Sequence, residues 1–234
     1  MIKKFSRFLP HWVVPTKLRV LLQFLHGQLI DYGWLRAMRE ARPVNRKGDP
    51  VPWVTQPAID FLDGLDWHEK DVFEWGAGYG TIWWSRRARQ VVSIETERDW
   101  YERIRLLVGP NCSVVLRDLD SPGYVSEIEK WGGAFDVIVI DGSGHLRPKC
   151  SAAAVRCLRT GGVVILDNSD QCPRSAEILR ASGLIQVDFT GFPPGHGYAH
   201  STFIFLERGY DIRPLGTVQP RPSVAQPNKS WPGA

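Results

Sequence analysis

The sequence predicts an α/β fold, in which a mostly parallel sheet of seven strands with an antiparallel last strand carries helices on both faces. Three observations predict it. Short apolar runs alternate with segments of helical periodicity from residue 71 to residue 207. Five of these runs lead into an acidic residue, and the first also leads into a cluster of glycines. No helical segment separates the last two runs, so we expect them to pair as an antiparallel hairpin.

The composition limits the classes of protein to which the chain can belong. Its 234 residues, 43% hydrophobic, suffice for one core with appendages. A net charge of +4 is too small to indicate a nucleic-acid partner. No apolar run reaches the roughly 18 residues of a membrane span. The cysteines, Cys112, Cys150, Cys157 and Cys172, form no C-x-x-C pair, so the sequence predicts buried thiols and a reducing, cytoplasmic location.

An N-terminal helical extension precedes the alternating region. We expect helices over 17–29 and 28–42 in an extension that covers 1–54, then a core domain over 55–212 that opens with a helix at 55–65. A proline-rich flexible tail is predicted over 213–234. The start of the extension is basic and aromatic, through Lys3, Lys4, Arg7, Lys17, Arg19, Phe5, Phe8 and Trp12. These residues favour a lid over a substrate pocket combined with a homodimer interface, and the alternative is peripheral contact with a membrane surface.

The elements of the core domain follow from the same periodicity, in chain order. Strands are predicted over 71–75, 90–95, 112–116, 135–140, 162–167, 184–189 and 201–207. Helices are predicted over 80–88, 97–107, 123–131, 147–159 and 173–182. Alternation of this kind is typical of a parallel sheet with helices on both faces. Ligands of such sheets bind beyond the carboxyl ends of the strands, so the residues that follow each strand are the candidate site.

The first two strand ends predict a cofactor that contains adenosine. The first strand leads through Glu74 into a turn with Gly76, Gly78 and Gly80. Glycines let a ligand approach the backbone closely, and the helix that follows directs its N-terminal amides at the ligand. The second strand ends in Glu95, and an acid in that position accepts hydrogen bonds from ribose hydroxyls.

The glycine spacing distinguishes between adenosine cofactors. A dinucleotide fold requires G-x-G-x-x-G, but Thr81 occupies the third position. The pattern E-x-G-x-G-x-G instead resembles the first motif of the class I S-adenosylmethionine-dependent methyltransferases, whose fold is a Rossmann-like seven-stranded sheet. The resemblance implies S-adenosyl-L-methionine as cofactor, with Glu95 on its ribose and Asp118 on its adenine amino group, although Asp118 is equally consistent with a surface carboxylate. The implied cofactor-binding residues are Glu74, Gly76, Ala77, Gly78, Tyr79, Gly80, Glu95, Asp118 and Asp141.

The fourth and fifth strands end in acids that carry a second resemblance. Asp141 follows one strand, and Asp167 with Asn168 follows the next. This layout is similar to the metal triad of the catechol and caffeoyl-CoA type O-methyltransferases, which implies Mg²⁺ held by these three residues. Oxygen ligands suit this cation, which lowers the pKa of a bound hydroxyl. The alternative is that Asp167 and Asn168 cap the next helix without a metal.

Three histidines are candidates for the general base that a hydroxyl acceptor requires. They are His145, four residues after Asp141, and His196 and His200 in the loop between the last two strands. Histidine titrates near neutral pH and commonly accepts a proton in catalysis. His145 is expected nearest to the chemistry, and Asp141 is expected beside the transferable methyl group.

The sequence therefore predicts an S-adenosylmethionine-dependent enzyme that methylates an oxygen of a small molecule or of a saccharide, with no nucleic-acid partner. Two alternatives belong to other classes. One is a non-catalytic adaptor of the same fold at a membrane surface or on a partner protein. The other is a nicotinamide-dependent oxidoreductase, against which Thr81 argues.

Overall fold

The computed structural model of the protein describes residues 15–217, 221 and 223–225. The predicted basic and aromatic cluster at residues 3–12 and most of the predicted tail lie outside them. Eight α-helices are present in the described part: α1 Thr16–His26, α2 Trp34–Glu40, α3 Gln56–Asp63, α4 Tyr79–Ser85, α5 Arg98–Arg105, α6 Gly123–Lys130, α7 Arg147–Cys157 and α8 Pro173–Ala181. The strands there are β1 Asp71–Trp75, β2 Gln90–Glu95, β3 Cys112–Leu116, β4 Phe135–Ile140, β5 Leu158–Leu166, β6 Ile185–Gly191 and β7 His200–Leu206.

The seven strands form one sheet in the order β3-β2-β1-β4-β5-β7-β6. β1 pairs in parallel with β2 and with β4, while β7 runs antiparallel to β5 and to β6. The predicted sheet and its terminal hairpin are thus confirmed. Because the strand order reverses between β1 and β4, a crevice opens beyond their carboxyl ends. That crevice is where the residues after each strand converge.

The first four strands have the predicted bounds, but β5 begins at Leu158 and not at 162. The prediction placed the start of this strand after Gly161. In the structure Gly161 has a φ of 81°, and Leu158 still pairs with Phe135 across a register shift. Between this pair and the next, Val137 with Val163, β5 advances five positions while β4 advances two. The irregularity absorbs three extra residues, so the strand continues on both sides of it.

The extension contains a break that the sequence analysis did not predict. A π-helical segment, Gly27–Asp31, follows α1, and the chain then turns at Gly33 before α2 begins at Trp34. Gly33 has a φ of 80°, and a Cβ there would lie 2.4 Å from the backbone nitrogen of Arg46. Only glycine fits this close contact, and its left-handed conformation interrupts the helical backbone. The continuous helix predicted over 28–42 is therefore wrong.

Both faces of the sheet are covered, because residues of each central strand alternate between two apolar layers. On one face Phe73 and Ile138 pack against Ile128 and its neighbours from α6, α7 and α8. On the other face Val72 and Val137 pack in a layer with α3 and with Trp67, Trp83 and Trp84. Burying each such large side chain contributes roughly 1.5–3 kcal/mol. This packing holds the carboxyl ends of the strands in a fixed arrangement.

The start of the predicted flexible tail is held by the domain. The backbone amide of Asp66 donates to the carbonyl of Arg213, and that of Leu215 donates to Gly64. Pro214 also forms a bridge with Leu65. These hydrogen bonds fix the backbone at positions that composition alone assigns to a tail, so the boundary predicted at 213 lies too early.

The N-terminal extension contacts the loop between β6 and β7. The indole of Trp34 in α2 donates to the backbone carbonyl of His196 over 2.8 Å. Directly after the extension, the amide of Gln56 donates to the carbonyl of Phe192 in the same loop, and the amide of Thr55 donates to the hydroxyl of Thr202 in β7. These bonds hold the backbone on both sides of Trp53, whose side chain lies at the mouth of the crevice. None of the described helices is long and apolar enough to cross a membrane.

Candidate active site

A cavity of about 530 Å³ lies beyond the carboxyl ends of β1, β2 and β4. Its walls include the glycine turn at 76–80 and the acids Glu95 and Asp141. Trp53 from the extension and Tyr124 from α6 complete it. This volume falls within the range of small-molecule sites. The cavity brings together the predicted strand-end residues of β1, β2 and β4.

Gly76 shapes the turn after β1. Its φ is 100°, and a Cβ there would lie 2.8 Å from the backbone oxygen of Asp141. The amides of Gly76 and Ala77 both donate to the carbonyl of Ile94 in β2. The turn is thereby held against the ends of both neighbouring strands. Only glycine permits this close approach with a positive φ.

Glu74 organises the turn from within. Its Oε2 accepts hydrogen bonds of 2.5 Å from the hydroxyls of Thr81 and Ser93. Thr81 in turn accepts a bond from the amide of Gly78 over 2.8 Å. Burial raises the pKa of Glu74 to about 7, against the opposing effect of these two hydroxyls. Glu74 was predicted to bind cofactor; it lines the cavity, and its Oε2 is committed to the protein.

Glu95 is positioned to receive a ligand. Its Oε1 accepts the backbone amides of Thr96 over 2.6 Å and of Glu97 over 2.9 Å. Within the described part of the chain, no hydrogen bond engages Oε2. Burial raises the pKa of Glu95, and the two amides oppose that effect. One oxygen therefore fixes the carboxylate while the other is able to accept further hydrogen bonds, and the contact with a ribose stays a prediction.

Two aromatic side chains build the wall beside the turn. Tyr79 is buried and lies 6.1 Å from Trp100, centroid to centroid. The Trp100 indole donates to the carbonyl of Ala77 over 2.7 Å. Both rings line the cavity. The sequence analysis proposed a pocket role for Tyr79 but missed Trp100, which the amphipathic pattern of α5 assigns to ordinary packing.

Asp118 is not brought into the cavity. It is exposed, and the neighbouring Leu119 lines the cavity instead. The chain turns directly after β3, where the amide of Ser121 donates to the carbonyl of Asp118. The contact of Asp118 with an adenine amino group therefore has no support from this geometry.

Asp141 lies at the end of β4 and meets a residue that the sequence analysis missed. Arg147, the first residue of α7, donates through Nη2 to Asp141 Oδ1 over 3.1 Å. Arg147 also donates to the carbonyls of Gly142 and Asp167, and its side chain is only 8% exposed. Asp141 is 33% exposed, into the cavity. Removal of its carboxyl group from bulk water raises the pKa of Asp141 well above its usual range, and the nearby Asp167 adds to this effect. The positive charge of Arg147 opposes both effects.

Asp167 faces a different set of partners at the end of β5. Its Oδ1 accepts the hydroxyl of Thr202 over 2.6 Å and lies 3.3 Å from His200 Nε2. The bond to Asp167 raises the pKa of His200, and burial opposes that effect. Asn168 adopts a left-handed conformation, with a φ of 45°, where a short 3₁₀ turn begins. The alternative role of Asp167 and Asn168 as helix caps is not supported either, because no side-chain hydrogen bond caps the 3₁₀ turn or α8.

These contacts do not fit the predicted Mg²⁺ site. The guanidinium of Arg147 already binds Asp141, while a hydroxyl and an imidazole engage Asp167. A hard dication needs carboxylate oxygens free of competing cations. Among the described residues, no three or more His, Cys, Asp or Glu side chains are grouped to hold a metal. The buried guanidinium of Arg147 binds Asp141, the acid at which the resemblance implies a metal.

The three histidines occupy different surroundings. His145 is exposed, and its Nδ1 lies 2.9 Å from the hydroxyl of Ser143, which lines the cavity. His196 packs edge-on against Trp53 at 5.1 Å, and burial lowers its pKa. His200 is buried beside Asp167. Trp53 thus links the loop of His196 to the cavity, while His145 reaches it through Ser143.

No protein-family model and no curated protein sequence matches the chain. Of the 461 chains of solved structures that resemble it, three are the following. Cofactor-bound Rv0187 from MTB has a TM-score of 0.53 and 21% identity, covering 80% of this chain and 96% of its own. The O-methyltransferase from Bacillus cereus in complex with SAH has a TM-score of 0.51 and 18% identity, with the same coverage. Precorrin-6y C5,15-methyltransferase from Geobacter metallireducens GS-15 has a TM-score of 0.50 and 16% identity, covering 64% of this chain and 86% of its own. This protein therefore has the Rossmann-like seven-stranded fold of the class I S-adenosylmethionine-dependent methyltransferases.

Proposed function

We propose that the protein is an S-adenosylmethionine-dependent methyltransferase that acts on a hydroxyl group. One observation carries the proposal: the glycine turn, the oriented Glu95 and the end of β4 at Asp141 converge on one cavity. Glu95 Oε2 would accept the ribose hydroxyls. The turn would accommodate the methionine part, because Gly76, Gly78 and Gly80 present backbone without side chains.

The reaction is an in-line displacement. The acceptor oxygen forms a bond to the methyl carbon while the carbon–sulfur bond breaks and its electron pair passes to sulfur, which leaves S-adenosylhomocysteine. The hydroxyl proton passes to a base. The protein's contribution is to align the two reactants and to exclude water, and alignment alone supplies a large share of such rate enhancements.

His145 is the histidine best placed to accept this proton. It is exposed, whereas His196 is half-buried and His200 is buried, and a hydrogen bond with the hydroxyl of Ser143 connects it to the cavity wall. The side chain of His200 is committed to Asp167, so we assign it a positioning role. His196 supports Trp53.

A small hydroxylated acceptor, such as a sugar, suits the mouth of the cavity. Trp53 lines it, and Tyr198 and Phe192 are exposed on the loop that packs beside Trp53 through His196. Aromatic faces pack well against the apolar faces of rings. The core domain, residues 55–212, has 16 basic and 22 acidic side chains, a net charge of −6 that gives no reason to expect a nucleic acid.

Calorimetric titration with S-adenosylhomocysteine tests the proposal. We expect the full chain to bind it, with or without Mg²⁺, and expect Glu95→Gln to weaken binding roughly 10- to 100-fold, because a charged acceptor for two hydroxyls is lost. The matched control is Glu97→Gln, an exposed acid two residues further on, which should bind as the natural chain does. An absence of binding, or equal losses in both variants, would refute the assignment; binding of NAD in its place would favour the oxidoreductase alternative.

A further inference from the structure

Helix α1 turns its apolar residues toward solvent. Leu18, Val20, Leu21, Leu22, Phe24 and Leu25 are between 37% and 60% exposed. No residue of α1 is buried, and its two half-buried residues, Arg19 and His26, are both polar. A surface helix normally does the opposite and buries an apolar stripe. An exposed apolar patch of this extent marks an interaction surface.

The same end of the chain holds the positive charge of the molecule. The first 30 residues contain five Lys and Arg and no Asp or Glu. With 29 basic and 25 acidic side chains in all, the rest of the chain has 24 against 25, a net −1. Lys17 is exposed in the first turn of α1, next to the apolar residues. Apolar surface and unbalanced positive charge therefore coincide on one segment.

We propose that α1 binds the surface of an anionic membrane, with its apolar residues at the boundary of the acyl chains and its basic residues among the headgroups. Exposed apolar side chains combined with Lys and Arg are the two signals that together give stable interfacial binding. Pairing with a second copy would bring two positively charged segments together, whereas anionic lipids neutralise them. The proposed contact is peripheral, because it is made by the exposed side chains of one short helix of 11 residues.

The geometry ties this contact to the cavity. The π-helical segment and Gly33 connect α1 to α2, whose Trp34 donates to the carbonyl of His196 beside Trp53. A membrane-bound α1 would therefore hold the mouth of the cavity near the lipid surface. The inference does not depend on methyl transfer, because it rests on residues outside the cavity.

Co-sedimentation of the full chain with vesicles tests the proposal. We expect binding to vesicles of equal parts phosphatidylcholine and phosphatidylglycerol, at least about tenfold weaker binding to phosphatidylcholine alone, and loss of the difference at high salt. The triple variant Leu21→Ser, Phe24→Ser, Leu25→Ser should weaken binding about a hundredfold, and Lys4→Glu with Lys17→Glu about tenfold.

The matched control places the same change elsewhere. Leu106 and Leu107 follow α5 and are 75% and 50% exposed, so Leu106→Ser with Leu107→Ser should leave vesicle binding unchanged. Every variant should keep the unfolding temperature and the S-adenosylhomocysteine affinity of the natural chain. Equal binding of the triple variant and the natural chain would overturn the proposal. So would light scattering that shows a dimer which the triple variant converts to a monomer, without vesicle binding, since a second copy would then cover α1.

Discussion

Gly142 and Tyr124 meet at the wall of the cavity, and their contact leaves no room for a side chain at 142. A Cβ on Gly142 would lie 2.0 Å from the Tyr124 hydroxyl but 3.4 Å from the ring carbon that carries it. We expect Gly142→Ala to cost about 1–3 kcal/mol of stability and to lower S-adenosylhomocysteine affinity about tenfold, because the buried Tyr124 must move. Chemical denaturation and calorimetry measure the two effects.

The double variant tests the cause of that loss. Tyr124→Phe removes the clashing oxygen. Gly142→Ala should therefore cost much less stability in the Tyr124→Phe background than it costs in the natural chain. Gly144→Ala is the control, since nothing lies within 4 Å of a Cβ there. Additive losses in the double variant would contradict the steric explanation.

Glu74 couples the stability of the glycine turn to pH. Its pKa of about 7 in the folded protein lies above the ordinary value of 4.5, so the folded state holds the proton more tightly than the unfolded chain. The resulting stabilisation is complete below the ordinary pKa and is lost as the pH rises through about 7. Between about pH 5.5 and about pH 8.5 the loss is roughly 2 kcal/mol.

Urea denaturation of the natural chain and of Glu74→Gln at both pH values isolates this contribution. Glutamine keeps the shape and does not titrate, so the difference in unfolding free energy between the two proteins should change by that amount. A difference that stays constant with pH would mean that Glu74 is ionised throughout.

His145 belongs to the chemistry and not to the binding of cofactor in our proposal. With an acceptor substrate in hand, we expect His145→Gln to lower kcat by roughly 10²- to 10⁴-fold, since general base catalysis typically contributes that much. Its S-adenosylhomocysteine affinity should match that of the natural chain, because the residue is exposed at the rim. Normal turnover in this variant would exclude His145 as the base.

At the scale of elements, Arg147 joins the ends of β4 and β5 to the start of α7. It donates to the carbonyls of Gly142 and Asp167 and to the carboxylate of Asp141. Arg147→Met leaves these acceptors unpaired next to two acids, and we expect a loss of roughly 3 kcal/mol. Arg156→Met is the control on the same helix, because the pair of Arg156 with Glu129 is exposed and should contribute less than about 1 kcal/mol.

Thermal and urea denaturation compare the two variants. Equal losses would contradict the structural importance of Arg147. If Arg147→Met instead left stability unchanged and bound Mg²⁺ that the natural chain does not, the predicted metal site would be restored by removing the competing cation.

The local elements were predictable where the pattern is contained in neighbouring residues. The bounds of β1 to β4 follow from apolar runs that end in acids, and their observed limits match the predicted ones. The break at Gly33 and the start of β5 were missed, because each depends on a contact with a distant segment: Arg46 for Gly33 and Phe135 for Leu158.

For the whole molecule, the sequence alone was enough to predict a mostly parallel sheet of seven strands with an antiparallel last strand, the glycine turn and the acid that ends β2. Alternating strands and helices permit few topologies, and the residue after a strand must lie at the carboxyl edge of the sheet. These features need no knowledge of side-chain partners. The sequence also located the basic segment, since charge is additive along a chain.

What each side chain does at that edge follows from three-dimensional packing and could not be predicted from the sequence. Asp141 pairs with Arg147, although the resemblance implies a metal there. His200 lies next to Asp167, and Leu119 lines the cavity instead of Asp118. The apolar residues of α1 also face outward. The physical reason is the same in each case. A pattern specifies which residues share an edge or a face, but partners 20 or 33 positions apart, such as Arg147 and His200 around Asp167, are selected by packing in three dimensions.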